Sequence, residues 1–292
     1  MRQRCWKYDW VLEFDIKGLF DNIDHALLMS ALRKHTDKEW ILLYVERWLK
    51  APMIREGILS ERTQGTPQGG VIGPLLANLF LHYAFDLWMK RTFLGVEFCR
   101  YADDGLVHCK TKKQAEYIKE RFTKRFKECG LELNENKTRI VYCKDKLRVQ
   151  DYSIISFDFL GYTFRPRLSY STSKEEFFVN FSPAVSKASI KAMSQEMRRW
   201  KLNLRSSQFL EDFSRMYNPV LRGWWHYYGF FYKIERLKQD LRCAKKVLVL
   251  RLLLLKKIIV VTLIPMIRID LDVVAINDHG AGPSGVKRNL KF

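Results

Sequence analysis

The sequence is poor in acids, and it lacks paired cysteines and any long uncharged apolar run. Its 292 residues include 32 Asp and Glu against 51 Lys and Arg, so the formal net charge is +19. Such an excess favours a polyanionic partner, either a nucleic acid or an anionic membrane surface. The six cysteines form no CxxC pair and show no regular spacing, which argues against a structural zinc site and a disulfide framework. We therefore expect a reduced, intracellular setting.

No targeting or membrane segment is predicted. The N-terminus has no apolar region of the kind that signal peptides carry. Residues 247–267 are rich in Leu, Ile and Val, but Arg251, Lys256 and Lys257 interrupt the run and leave too short a piece to span a bilayer. The length and a hydrophobic content of 47% fit one large domain, or two smaller ones, with a packed core.

Two adjacent acids, Asp103 and Asp104, lie in the most informative stretch. Residues 99–101 and 106–109 are each predicted to be strands, and Asp104-Gly105 is a turn dipeptide, so the acids are expected at the tip of a hairpin. Carboxylates on a tight turn repel each other, and hard oxygen ligands suit Mg²⁺ or Mn²⁺. The ordinary alternative is a solvated surface turn, because Asp and Gly are common in turns for conformational reasons.

A third acid, Asp15, ends a predicted buried strand over residues 11–16, and Gly18 then turns the chain. A strand gives the acid at its end a rigid direction, which suits a site, although such an acid can also merely cap a turn. Residues 65–74 contain several glycines and prolines that exclude regular structure and allow backbone N–H groups to approach a ligand. Gln68 is the side chain of this loop that could hydrogen-bond a base or a sugar.

Apolar periodicity predicts helices around these strands. Asp24 and Asp37 are the predicted N-caps of the first two helices, Pro74 lies in the first turn of the third, and Gly130 ends the fourth. The residues expected to face inward are Leu27, Leu28, Ala31 and Leu32; Ile41, Tyr44, Val45, Trp48 and Leu49; Leu75, Leu76, Leu79, Phe80, Tyr83 and Leu87; and Ala115, Ile118, Phe122 and Phe126. The predicted fold class is α+β, with a small antiparallel sheet backed by helices and then a helical region.

Positive charge concentrates towards the C-terminus. Residues 187–257 contain 17 Lys and Arg against 5 Asp and Glu, in helical patterns. Basic side chains can neutralise phosphates and aromatic faces can stack on unpaired bases, although we expect most of these rings to form a helical core. The interleaved aromatic residues are Trp200, Tyr217, Trp224, Trp225, Tyr227, Tyr228, Phe230, Phe231 and Tyr232.

Five short blocks, in this order, resemble motifs A to E of a group II intron reverse transcriptase (maturase). They are residues 14–21, 65–70, 101–104, 136–138 and 159–162. The segment 221–225, Leu-Arg-Gly-Trp-Trp, is similar to the maturase domain of that family. The resemblance covers about residues 9 to 246. It implies a reverse transcriptase palm over 1–180 and a helical thumb or maturase-like region over 181–246. Residues 247–292 depart from the family pattern, and a frameshifted, degenerate or disordered end is one explanation.

The resemblance implies an RNA-directed DNA polymerase that adds dNTPs to a primer 3′-hydroxyl with two Mg²⁺ ions, or Mn²⁺ in their place. It implies that Asp15 and Asp103 bridge the metals, that the Ile16 carbonyl is a ligand, and that Asp104 is a supporting acid. Phe20 falls at the steric gate and favours dNTPs. Other implied contacts are Gln68, Gly69 and Lys137 with the nucleotide, Leu160 and Gly161 with the primer, and Arg198, Arg199, Lys201, Arg222, Lys245 and Lys246 with RNA.

The implied partners are an RNA template or group II intron RNA, a DNA primer and dNTPs, with no membrane, in a bacterial cytoplasm or an organelle. The family carries a fingers region with triphosphate-binding basic residues before motif A, whereas this sequence begins shortly before Asp15. We therefore expect an N-terminally truncated chain that polymerises poorly. No Cys/His cluster follows the maturase segment, so the zinc-dependent endonuclease domain of some relatives is not expected.

Two alternatives stay open. The chain could be an RNA-binding maturase that promotes intron folding and splicing without polymerase activity, since gripping RNA requires no metal ions. It could also be a degenerate product that folds badly and aggregates through exposed apolar surface. Other reverse transcriptases, such as those of retrons, share the palm motifs, and the basic segment containing Trp224 and Trp225 favours the group II intron family.

Overall fold

The structure, a computed structural model, describes residues 1–55, 58–67, 70–171, 174–202, 205 and 209–229. The chain divides into two compact units, with the boundary between Ser186 and Lys187. The first unit contains, in order, α1 (Arg2–Lys7), β1 (Trp10–Asp15), α2 (Leu19–Asn22), α3 (His25–Leu32), α4 (Glu39–Lys50), β2 (Met53–Arg55), β3 (Ile58–Ser60), α5 (Gly73–Leu81), a π-helix (His82–Asp86), α6 (Leu87–Thr92), β4 (Phe98–Tyr101), β5 (Asp104–Cys109), α7 (Lys112–Glu128), β6 (Arg139–Tyr142), β7 (Phe157–Phe159), β8 (Tyr162–Ser171) and β9 (Glu176–Val185).

A four-stranded antiparallel sheet, in the order β4-β5-β1-β6, is the centre of the first unit. Because successive strand residues point to opposite faces, Leu12 and Phe14 face the helices, while Glu13 and Asp15 face the other way. Helix α7 lies across the helix-side face and places Phe122 against Phe14, with ring centroids 5.2 Å apart. The acid at the end of β1 thus points away from the main core.

The hairpin of β4 and β5 corrects the predicted turn. Tyr101 pairs with Asp104, so the turn consists of Ala102 and Asp103, and Gly105 lies inside β5 opposite Phe14. A Cβ atom at Gly105 would lie 2.1 Å from Cζ of Phe14. The glycine therefore makes room for a core ring, and the expectation that Asp104-Gly105 forms the turn was wrong.

Helix α7 matches its prediction, and the shorter helices match in part. The four inward positions of α7 are all buried, Gly130 follows with φ 72°, and Asp24 caps α3 by accepting the Leu27 N–H at 2.7 Å. Asp37 does not cap α4, which begins after Lys38, whose N–H donates to the Thr36 hydroxyl. Four residues predicted to face inward are exposed, because α3, α4 and α5 each bury only a narrow stripe, with α3 packed against both α4 and α5; they are Leu27, Tyr44, Trp48 and Leu75.

A second antiparallel sheet, in the order β7-β8-β9, completes the first unit. The predicted bend between β7 and β8 is confirmed, with Leu160 at φ 48° and Gly161 at φ 76°, the positive values that a tight hairpin turn requires. Strand β9 pairs with β8 along its whole length to Val185, so the predicted domain boundary at 180/181 falls inside a strand. None of the helices in the described ranges is long and apolar enough to cross a bilayer.

The second unit contains α8 (Lys187–Arg199) and α9 (Leu210–Gly229). Trp200 is buried and stacks on Tyr217, with centroids 4.3 Å apart, and on Trp224, with centroids 5.9 Å apart. These three rings pack together between the helices, in agreement with the expectation that most of the aromatic residues form a helical core. Phe230, Phe231 and Tyr232, and the whole predicted tail over 247–292, lie outside the described residues.

The contact between Gly105 and Phe14 leads to a stability prediction. Gly105→Ala forces the added methyl group into a core ring, so we expect unfolding free energy to fall by about 1–3 kcal/mol in urea titrations. In the double variant with Phe14→Leu, the smaller side chain relieves the clash. The double variant should therefore lose less unfolding free energy than the sum of the losses in the two single variants. Gly223→Ala is the control, because nothing lies within 4 Å of the added atom and alanine favours helix α9. Strictly additive losses would contradict the clash.

Candidate active site

The register of β1 and β5 brings the predicted acids together. Asp15 pairs directly with Asp104, so their side chains leave the same face with Cβ atoms roughly 4.5–5.5 Å apart. Asp103 is the second residue of the two-residue turn, directly before Asp104. Asp15 is buried, Asp103 is half-buried and Asp104 is exposed. The three acids therefore form one cluster at the end of the sheet that opens to solvent.

The segment before β6 holds Asp15 in place. Asn134 donates its backbone N–H to the Asp15 carbonyl at 2.9 Å and its side-chain amide to Asp15 Oδ2 at 3.0 Å. Lys137 Nζ lies 3.0 Å from Asp15 Oδ1. Asn134 also accepts the backbone N–H groups of Lys137 and Thr138, which folds the segment into a turn. Each carboxylate oxygen of Asp15 thus has a donor of its own.

The carboxylates of this cluster destabilise one another. Burial, then the neighbouring carboxylates of Asp103 and Asp15, raise the pKa of Asp104. The hydrogen bond to Asp15 raises the pKa of Lys137, so its ammonium stays charged. Among the described residues, the Lys137 ammonium balances only part of this negative charge, so additional positive charge at this place would be favourable.

The donor set fits a divalent cation. Among the described residues, no three His, Cys, Asp or Glu side chains are already arranged as a metal cage. The cluster nevertheless supplies hard carboxylate oxygens, and burial together with the neighbouring carboxylates raises the pKa of Asp104, so a cation bound there would be favourable. Ile16 and Leu133 form an isolated antiparallel β-bridge. Its hydrogen bonds run from the Lys17 N–H to the Glu132 carbonyl and from the Asn134 N–H to the Asp15 carbonyl, so the bridge does not use the Ile16 carbonyl.

The loop of motif B lies beside the turn that follows Asp15. Phe20 is half-buried against the core, and its carbonyl accepts the Thr66 N–H at 2.6 Å. Gly65, at φ 79°, approaches so closely that a Cβ atom there would lie 2.7 Å from the Phe20 carbonyl oxygen. The structure thus joins the predicted steric gate to the start of the glycine-rich loop. Gln68 and Gly69 lie outside the described residues.

The remaining predicted site residues belong to other segments of the chain. Leu160 and Gly161 form the turn between β7 and β8, where the Gly161 carbonyl accepts the Ser186 N–H at 2.9 Å. The predicted RNA contacts belong to the second unit: Arg198 and Arg199 end α8, Lys201 follows with φ 47°, and Arg222 is exposed on α9, whereas Lys245 and Lys246 lie outside the described residues.

Sequence reasoning missed two groups beside the acids. Asn134 is an ordinary turn residue three positions before Lys137, a signal too common to identify a carboxylate partner. Glu13 lies on the same face of β1 as Asp15, and burial raises its pKa to about 7 although Arg139 opposes the shift from 2.7 Å away. The only sequence signal for Glu13 is that alternate residues of a strand share a face, which places it on the same face as Asp15.

Family comparisons agree with this geometry. The sequence model of the reverse transcriptase (RNA-dependent DNA polymerase) family matches residues 2–164, more than half of the chain. The chain belongs to this family. The model of the group II intron maturase-specific domain matches residues 190–250. The two matches together confirm the predicted group II intron reverse transcriptase (maturase) and its palm-like α+β fold.

Individual relatives cover parts of this reverse transcriptase. Protein YkfC of Escherichia coli (strain K12) is 31% identical over 176 residues, which covers 47% of this chain and 44% of YkfC. The group II intron-encoded protein LtrA of Lactococcus lactis subsp. cremoris is 38% identical over 86 residues, which covers 29% of this chain and 14% of LtrA. The chain thus spans less than half the length of these curated relatives.

Solved structures of telomerase are also similar. The apo telomerase from Candida tropicalis has a TM-score of 0.46 at 13% identity, covering 56% of this chain and 33% of that one. The telomerase from Candida albicans in complex with a TWJ fragment of telomeric RNA has a TM-score of 0.46 at 16% identity, covering 74% and 39%. The family assignment rests on the sequence models.

The charge imbalance at the acids predicts how stability depends on pH. Because the folded state disfavours ionised Asp104, we expect Asp104→Asn to raise the thermal unfolding midpoint at pH 7 in metal-free buffer. The gain disappears as the pH falls to about 3, where the carboxyl is protonated in both states. Calorimetric scans across this range measure the difference.

Asp145→Asn is the control of opposite sign. Burial raises the pKa of Asp145, but hydrogen bonds from Arg148 outweigh it and hold this pKa below its usual value. Asp145→Asn should therefore lower the midpoint at pH 7, and the loss should shrink as pH falls. A lower midpoint at pH 7 for Asp104→Asn as well would contradict the imbalance.

Proposed function

We propose that this chain carries the nucleotidyl-transfer site of an RNA-directed DNA polymerase that extends a primer 3′-hydroxyl with dNTPs on an RNA template. The pairing of Asp15 with Asp104, with Asp103 in the adjoining turn, carries the proposal. Asp15, Asp103, Asp104 and the Ile16 carbonyl would hold two Mg²⁺ ions, or Mn²⁺ in their place. When bound, such ions lower the pKa of the primer hydroxyl and neutralise charge on the departing pyrophosphate.

The neighbouring side chains have separate roles in this proposal. Asn134 keeps the Asp15 carboxylate in one orientation, as hydrogen-bond partners of metal-binding carboxylates do. Lys137, whose Nζ lies 3.0 Å from Asp15 Oδ1, would supply positive charge at the pyrophosphate, either as a counter-charge or as a proton donor. Phe20 excludes a ribose 2′-hydroxyl, Gln68 and Gly69 contact the nucleotide, and Leu160 and Gly161 support the primer end.

The second unit is proposed to bind the RNA. Arg198, Arg199 and Lys201 cluster where α8 ends, and Arg222, Lys245 and Lys246 extend the basic region along the chain. Their charge would neutralise phosphates and make RNA affinity depend on salt. In this assignment the palm, predicted to end near residue 180, extends to the unit boundary at Ser186, and the thumb or maturase-like region covers about residues 187–246.

A second candidate function is RNA binding without polymerisation, as a maturase that promotes intron folding. Two observations favour it, the match of residues 190–250 to the maturase-specific domain and the 17 basic against 5 acidic residues over 187–257. RNA binding of this kind depends on phosphate neutralisation and base stacking, and neither requires the acids of the first unit.

Asp103→Asn separates the two functions. We expect it to reduce extension of a DNA primer on an RNA template, with dNTPs and Mg²⁺, by about 100-fold or more, because a charged metal ligand is lost. RNA affinity, measured by filter binding at fixed salt, should change less than about twofold, because the phosphate-binding residues are untouched.

Asp37→Asn is the matched control, since this carboxylate is exposed and belongs to the segment between α3 and α4, not to the strands that carry the acids. It should leave both extension and RNA binding unchanged. Undiminished extension by Asp103→Asn would reject the site, whereas an equal loss of RNA binding would reject the division between the units. RNA binding by a wild-type chain that extends no primer would favour the maturase alternative.

A further inference from the structure

The turn that carries Asp103 is not stable by itself. It joins β4 to β5 with two residues, and the first of them, Ala102, has φ 51°. A left-handed conformation costs a residue with a side chain roughly 1–2 kcal/mol, and glycine is the residue that normally adopts it. Surrounding contacts must therefore hold Ala102, and the direction of the next residue depends on them.

One of those contacts comes from Arg100, two residues earlier on β4. Its Nη1 atom donates to the Ala102 carbonyl oxygen at 3.1 Å. That carbonyl belongs to the peptide plane that also contains the Asp103 N–H, so fixing the oxygen fixes the plane from which the Asp103 side chain starts. Arg100 thus acts on the backbone of the acid from the opposite face of the sheet.

Helix-side residues hold Arg100 in turn. Its Nε and Nη2 atoms donate to the two carboxylate oxygens of Asp86, at 3.0 and 2.7 Å, and Nη1 also donates to Asn78 Oδ1 at 3.0 Å. Asp86 ends the π-helix and Asn78 lies on α5. The Arg100 side chain is 9% exposed, so the pair is well shielded from solvent. The fork of the guanidinium therefore connects two helical segments to one turn carbonyl.

We propose that Arg100 is a positioning residue of the nucleotidyl-transfer site, which sets the direction of the Asp103 carboxylate through the Ala102 carbonyl. This inference rests on the proposed function and extends it to a side chain that touches neither substrate nor metal. The role requires an arginine, because a lysine ammonium is a point charge that cannot bind Asp86 bidentately and reach the turn at the same time.

Mn²⁺ binding to the purified full-length chain tests the proposal. Titration of free Mn²⁺ by electron paramagnetic resonance, compared between the wild type and Asp103→Asn, defines the fraction bound at the acids. Arg100→Lys should raise the Kd of this fraction about 10-fold, the loss typical of removing a partner that orients a metal ligand. Asn78→Ala, which removes one exposed partner of Arg100, should fold normally and raise the Kd by a smaller factor.

Arg148→Lys is the matched control. Arg148 is also 9% exposed, forms a buried ion pair with Asp145 and donates to a backbone carbonyl, that of Tyr8, but it does not contact the turn. Both lysine variants should lower the thermal unfolding midpoint, and Arg100→Lys alone should weaken Mn²⁺ binding. Equal Mn²⁺ affinity in wild type, Arg100→Lys and Asn78→Ala would overturn the proposal and leave the metal site intact.

A second measurement separates the failure of this inference from that of the proposed function. If the wild type shows no Mn²⁺ binding that depends on Asp103, the metal site itself fails. Amide hydrogen exchange over residues 98–106 then decides the role of Arg100, because a released turn exchanges faster in Arg100→Lys than in Arg148→Lys. Unchanged exchange in this segment would overturn the positioning role as well.

Discussion

The pairing of β1 with β5 is the constraint on which the site depends. Side chains alternate between the faces of a strand, so a slip of one residue would turn Asp15 into the helix layer and Phe14 out of it. The Phe14 ring lies over Gly105, where any larger residue would collide with it, and this contact favours a single register. In that register Asp15 lies opposite Asp104, and the acids meet at the open end of the sheet.

Charge at that end of the sheet is only partly balanced. Asp15 is buried and has two donors, Asn134 and Lys137, whereas Asp103 and Asp104 raise the negative charge of the same small region. Structural acids are usually paired with a fixed cation, as Asp86 is with Arg100. A bound cation would therefore be favourable at the acid cluster, whereas Asp86 already has its counter-charge.

Local patterns predicted the elements well where one face of a long helix meets the core. Helix α7 ends before Gly130 and buries all four residues predicted to face inward, because its apolar stripe repeats over several turns. The same reasoning failed for part of α4, where Val45 and Leu49 are buried but Tyr44 and Trp48 are exposed, because the apolar side of this helix is wider than the stripe that the core covers. The Asp104-Gly105 dipeptide was wrongly predicted to form the turn, because Gly105 is required by its contact with the Phe14 ring and not by a turn conformation.

The sequence by itself indicated the acids that the fold brings together, the order of the motifs and the class of fold, because these depend on residue identity and on short-range periodicity. Only the tertiary structure decided that Asn134 and Lys137 engage Asp15, that Gly105 belongs to a strand, and that Arg100 reaches the turn from the helix side. Those contacts depend on backbone register and on the direction of side chains, which are fixed when distant segments pack together.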